Sequence, residues 1–75
     1  MKTSKITSIV HEGDRIPFDG VIVDGVALVD ESAYTGVSKP VLLDNTPGRN
    51  NAMAGALVVD GWIEVVSAID ARKRD

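Results

Sequence analysis

The chain has 75 residues, a formal charge of −3, no cysteine and a single histidine, His11. One small domain of this size buries only about 60% of the surface its unfolded form exposes, which excludes a deep cleft between two lobes. Disulfide scaffolds, thiolate centres and multi-histidine metal sites are excluded as well, and with no basic stripe before Arg72-Lys73-Arg74 nucleic-acid binding is disfavoured.

The apolar residues come in short runs bounded by glycine, proline and aspartate: Ile6 to Val10, Val21 to Val23, Val26 to Val29, Val41 to Leu43, Ala52 to Val59 and Trp62 to Ile69. Their lengths and β-branched content predict strands. Gly13-Asp14, Asp19-Gly20, Asp24-Gly25 and Asp60-Gly61 read as turns, with Asp-Gly the signal for a two-residue hairpin. Pro47-Gly48 suits a type II turn. The expected fold is mainly β: a small double-layered β-sandwich, jelly-roll-like, with one short helical turn and a single domain over residues 1–75. The ends, 1–5 and 70–75, are expected to be flexible.

Val21-Ile22-Val23-Asp24-Gly25-Val26 is echoed 36 residues later by Leu57-Val58-Val59-Asp60-Gly61-Trp62. Either the same hairpin chemistry is used twice, or two hairpins face each other with both faces of their apolar strands covered. No run approaches the ~20 apolar residues of a membrane span, and Met1 to Lys5 has no signal-peptide character. The chain is expected to be soluble, without direct membrane insertion.

The helical turn is placed over Glu31 to Tyr34, with Asp30 as its N-cap and Gly36 ending it in the left-handed conformation. Pro40 then opens a strand. Asp30 can be a cap or a reacting carboxylate. Thr35-Gly36 can bring the backbone close to a phosphate or simply form the turn. No nucleophilic triad or P-loop can be drawn. Ala52-Met53-Ala54 lacks the lysine that a biotin or lipoate carrier domain would need at that hairpin tip.

The order of motifs is more specific than any one of them. Gly13-Asp14-Arg15-Ile16-Pro17-Phe18-Asp19-Gly20, Val29-Asp30-Glu31-Ser32, Thr35-Gly36-x-Ser38-x-Pro40-Val41, and then Gly48, Gly55 and Gly61 follow one another. Over residues 8–67 this resembles the actuator domain of P-type ATPases, the membrane cation pumps. The Pro-x-Asp-Gly block is most similar to the heavy-metal-transporting branch, with the bacterial potassium-transporting branch second.

The resemblance implies a cytosolic domain of an integral membrane protein. Its partners would be the phosphorylation domain, the nucleotide-binding domain and the transmembrane helices of the same pump. It implies a loop, Thr35, Gly36, Val37 and Ser38, that approaches an aspartyl phosphate during dephosphorylation, built on Asp30, Glu31 and Pro40. In the family the third loop position is a glutamate that activates water, and here it is Val37. Mg and ATP are implied for the parent pump only. This chain alone is expected to bind no ATP, hold no metal and show no turnover.

Arg72-Lys73-Arg74 would either precede a membrane helix or form a solvated tail. The rival expectation is a stand-alone interaction or regulatory module that kept the shape and lost the chemistry. A reading frame continuing into apolar helices would favour the pump.

Overall fold

A computed structural model describes residues 6–37 and 39–67. The expected flexible ends lie outside the described residues. The elements are β1 (Thr7–His11), β2 (Gly20–Asp30), α1 (Ser32–Thr35), β3 (Val41–Leu43), β4 (Asn51–Ala52) and β5 (Leu57–Ser67). All pairings are antiparallel. The sheet runs β1-β5-β2-β3, and β4 adds to the start of β2. The expectation of a mainly β domain with one helical turn is met.

Three expected hairpin turns are not turns. At Asp19-Gly20, Gly20 simply opens β2, paired with Ala52 and Ser67 and without positive φ. Asp24-Gly25 and Asp60-Gly61 lie inside the long strands β2 and β5, which pair with each other along their length. The register slips by one residue between Ile22 and Asp24, and again between Leu28 and Val29, whose partners are Asp60 and Val58. Val23 in β2 and Val59 in β5 are therefore extra residues, one bulge on each strand. A bulge needs local backbone freedom as a tight turn does, and glycine supplies it. Gly25 and Gly61 both have positive φ, 84° and 85°.

The bulges decide which side chains reach the core. Ile22 and Ala27 are both buried, as are Val58 and Ile63. Each pair is an odd number of residues apart, so an unbroken strand would send its members to opposite faces. One extra residue restores the phase. The internal repeat is thus a bulge signature, and it carries an approximate two-fold relation. Val26 pairs with Trp62, its own counterpart in the repeat. Ile22 pairs with Val65 and Val29 with Val58. The repeats do not face each other across layers; they meet edge to edge.

The core gathers Val10 of β1, Ile22, Ala27 and Val29 of β2, Leu43 of β3, Ala52 of β4, and Val58, Ile63 and Val65 of β5. Ile16 and Ala56 complete it from the connecting segments, with Phe18 packed alongside. The opposite side is not covered by the described residues: Val26, Leu28, Leu42 and Trp62 are all exposed among them.

The segment before β2 is fastened to the one before β5. Gly13 N donates to Val58 O and Ile16 N to Ala56 O, both at 2.8 Å. In return Val58 N donates to Asp14 O at 2.9 Å and Gly55 N to Ile16 O at 2.8 Å. Side chains add to this: Arg15 Nη1 donates to Gly55 O, and Ala54 N donates to the Asp19 carboxylate, each at 2.8 Å. The Gly55 turn splits the apolar run Ala52 to Val59 into β4 and the start of β5. The turn at Gly13 is as expected, closed by Asp14 N donating to His11 O at 2.9 Å. So is the Pro47-Gly48 turn, closed by Arg49 N donating to Thr46 O at 2.8 Å.

A Cβ added to Gly25 would stand 2.5 Å from the Trp62 carbonyl, and one added to Gly61 would collide with the Val26 carbonyl. At Gly48, also at positive φ, the space is open. Gly48→Ala is expected to cost about 1 kcal/mol, for backbone strain alone. Gly25→Ala and Gly61→Ala are each expected to cost about 3 kcal/mol or more, because a ladder carbonyl must also move. Equilibrium urea denaturation measures the difference; equal costs at the three sites would refute the crowding argument.

Candidate functional site

The loop of residues 30–40 joins neighbouring strands: Val29 of β2 pairs with Val41 of β3. It therefore projects from one end of the sheet. Its first anchor is Asp30, the last residue of β2, whose backbone pairs with Leu57. The half-buried Asp30 carboxylate accepts from Ser32 N at 2.8 Å. The helical turn is Ser32–Thr35, one residue later than expected. The N-cap position falls on Glu31, whose side chain makes no capping bond. Asp30 does the capping work from one residue further back.

The turn closes with Thr35 N donating to Glu31 O at 3.1 Å and Gly36 N donating to Ser32 O at 2.9 Å. Gly36 is left-handed, φ 74° and ψ 3°, as expected. This reversal ends the helix after a single turn and sends the chain outward. Val37 N then donates to Thr35 Oγ1 at 3.1 Å. The Val37 side chain is 57% exposed. Pro40 is exposed and immediately precedes β3, which opens at Val41. Ser38 lies outside the described residues.

Glu31 and Thr35, one helical turn apart, face a cavity of about 530 Å³ whose walls include Val41, Leu42, Arg49 and Met53. Val37 does not line it. The structure thus separates the two positions: Glu31 lies against the cavity beneath the turn, and residue 37 stands at the tip. Arg49 is tied by a 3.3 Å ion pair to Asp44, whose carboxyl also accepts from Thr46 N at 2.8 Å. No sequence signal pointed to Arg49 or Met53, because the turn at Pro47-Gly48 and the short β4 bring them here. Arg15 was read only as part of a motif; in the fold its charge acts on Asp30.

His11 is exposed at the end of β1. Among the described residues no three His, Asp or Glu side chains are grouped to hold a metal ion. No helix among them is long and apolar enough to cross a membrane.

Residues 7–73 match the family described as the P-type ATPase actuator domain. The chain belongs to that family. The actuator domain is 43% identical over 56 residues to the potassium-transporting ATPase ATP-binding subunit of Staphylococcus aureus strain Newman, covering 75% of this chain and 8% of that protein. It is 44% identical over 61 residues to the subunit of the same name from Clostridium botulinum strain Alaska E43, covering 79% of this chain and 9% of that one. It therefore spans under a tenth of the length of the curated relatives it matches.

The Ser32 backbone N–H, helped by the Ser32 hydroxyl, holds the Asp30 carboxyl below its ordinary value; partial burial opposes this, and the Arg15 charge adds to the lowering. A carboxylate whose value is lowered by folding stabilises the fold above its unfolded value. That contribution is lost as the pH falls through the lowered folded value. The Ser32 amide shift is expected to titrate with a midpoint below that of aspartate in an unfolded peptide. In Asp30→Asn, which still offers an acceptor, that titration should vanish while the turn persists; an unchanged titration would remove Asp30 as its cause.

Proposed function

We propose that this actuator domain serves the dephosphorylation step of a P-type cation pump, carrying the Thr35-Gly36-Val37-Ser38 loop to an aspartyl phosphate on a separate phosphorylation domain. The observation that supports this reading is the mounting of the loop. It stands at the end of the sheet, anchored through Asp30 and closed by Gly36, with the side chain of residue 37 turned outward. Residues 1–75 form one actuator core in this reading, with the nucleotide-binding domain and the membrane helices as its further partners, on the cytoplasmic side. A rigid β domain that swings between two positions can pass the chemical step on to those helices.

Hydrolysis needs a water oxygen to attack phosphorus while the bond to the aspartyl oxygen breaks. The water must give up a proton, and a positioned carboxylate accepts it. Valine accepts nothing. The parent pump is therefore expected to form its phosphoenzyme and to break it down slowly. Mg and ATP are assigned in this reading to the other domains of the parent pump, and no step on this chain runs through them. The relatives named above are potassium-transporting subunits. On that ground we place the parent in the potassium branch, rather than the heavy-metal branch suggested by Pro17-Phe18-Asp19-Gly20.

The exposed apolar tip at Val37 also suits a second reading, an actuator-like regulatory module without catalysis. In the full-length protein, Val37→Glu is expected to speed phosphoenzyme decay by about 10²–10⁴-fold, followed as loss of acid-stable radiolabel. An unchanged lifetime would sink the role given to position 37, and a full-length protein that forms no phosphoenzyme would favour the module. Fold stability should move by no more than about 0.5 kcal/mol, as for other exposed loop positions.

A further inference from the structure

We infer that Thr35 is a positioning residue whose hydroxyl works inside the loop, gripping the backbone of residue 37, and is not a ligand of the phosphate. The inference rests on the dephosphorylation reading above and assigns the division of labour within the loop. A threonine hydroxyl has one hydrogen to donate and lone pairs to accept with. In this structure Thr35 Oγ1 accepts from Val37 N at 3.1 Å. Its single hydrogen has two carbonyl acceptors within reach, Val37 O at 3.3 Å and Glu31 O at 3.4 Å. Both of those acceptors belong to the loop itself.

A phosphate dianion only accepts hydrogen bonds. To hold one, Thr35 would have to withdraw its hydrogen from the loop.

The backbone donors are committed in the same way. Thr35 N donates to Glu31 O and Gly36 N to Ser32 O, and Val37 N donates to Thr35 Oγ1. Residues 35 to 37 therefore present no unused N–H to an anion. This is the reverse of a phosphate-cradling loop, where successive N–H groups converge outward. What the segment offers to a partner is the side chain at position 37, on a backbone whose N–H is held by the Thr35 hydroxyl and whose carbonyl lies within that hydroxyl's reach. Thr35 thus acts through residue 37, and its value depends on what stands there.

This dependence gives a double-mutant cycle. In the full-length protein, Thr35→Val removes the hydroxyl and keeps the shape. In the Val37→Glu background it is expected to slow phosphoenzyme decay on the order of 10²-fold, the scale for a misplaced reacting group. In the Val37 background its cost should be at least about tenfold smaller, because no general base is there to be misplaced. Thr35→Ser should restore decay in the first background. Equal costs in both would mean that the hydroxyl touches the phosphate, and would overturn the inference while leaving the dephosphorylation reading intact.

A second measurement stands even if Val37→Glu changes nothing. In the ¹⁵N-labelled 75-residue chain, Thr35→Val should shift the Val37 amide and speed its exchange, and Thr35→Ser should not. Inorganic phosphate should produce no saturable shift at residues 35 to 37. An unmoved Val37 amide in Thr35→Val, or a saturable phosphate shift there, would equally overturn it.

Discussion

The pairing of β2 with β5 through two opposed bulges is the constraint on which the rest of the domain depends. Each strand contributes to the core from both of its halves, and the halves are out of phase by one residue. Without Val23 and Val59 as extra residues, one half of each strand would turn its valines to solvent. Fully burying such a side chain contributes about 1.5–3 kcal/mol, so losing one half of each strand, Ile22 of β2 and Val58 of β5 for instance, would take a large share of the stability of a domain this small. The approximate two-fold at Val26–Trp62 follows from solving the same phase problem once on each strand. It also explains why the crowding at Gly25 and Gly61 is reciprocal: each glycine packs against the backbone of the other strand's central residue.

That pairing fixes where β2 ends, and the end of β2 is where the loop begins. Asp30 is still in register with Leu57, so the carboxylate that receives Ser32 N is carried on a sheet residue rather than on a loose connection. Leu57 is bridged in turn by Arg15. The Arg15 side chain is held by the Gly55 carbonyl, and the segment around it is laced to residues 54–58. The Gly13-Asp14-Arg15-Ile16-Pro17-Phe18-Asp19-Gly20 block thus works as a fastening. Its carboxylate at Asp19 and its guanidinium at Arg15 bind backbone groups of a neighbouring segment, and through them the base of the loop is made firm.

Much of this was legible in the sequence wherever the cause is local. Gly36 ending a helical turn and Pro47-Gly48 in a tight turn depend on a few adjacent residues, and both appear where expected. Asp24-Gly25 and Asp60-Gly61 do not reveal their role locally because positive φ is shared by hairpin turns and bulges. Only the pairing partner, dozens of residues away, tells the two apart. The repeat itself contained the clue, since residues five apart, Ile22 and Ala27 or Val58 and Ile63, are both apolar. At the site, the order of motifs placed Thr35, Gly36 and Val37 on one loop. The cavity walls from Arg49 and Met53, and the nearness of Arg15 to Asp30, arise from long-range packing that no local pattern encodes.

The valine at the tip is best understood through the rigidity beneath it. A loop that merely needed to be polar and mobile would not commit its N–H groups at residues 35, 36 and 37 to internal bonds. Those bonds fix a direction for the side chain at position 37, and a fixed direction matters most when that side chain must meet a particular atom. The mount is indifferent to what it carries: none of its bonds involves the Val37 side chain. Exchange of a carboxylate for an isopropyl group at this position can therefore remove proton-accepting ability and leave the geometry for delivering it in place. In the dephosphorylation reading proposed above, recognition of the phosphate would fall to the domain that bears it, and the actuator would contribute one aimed side chain and the sheet that holds it still.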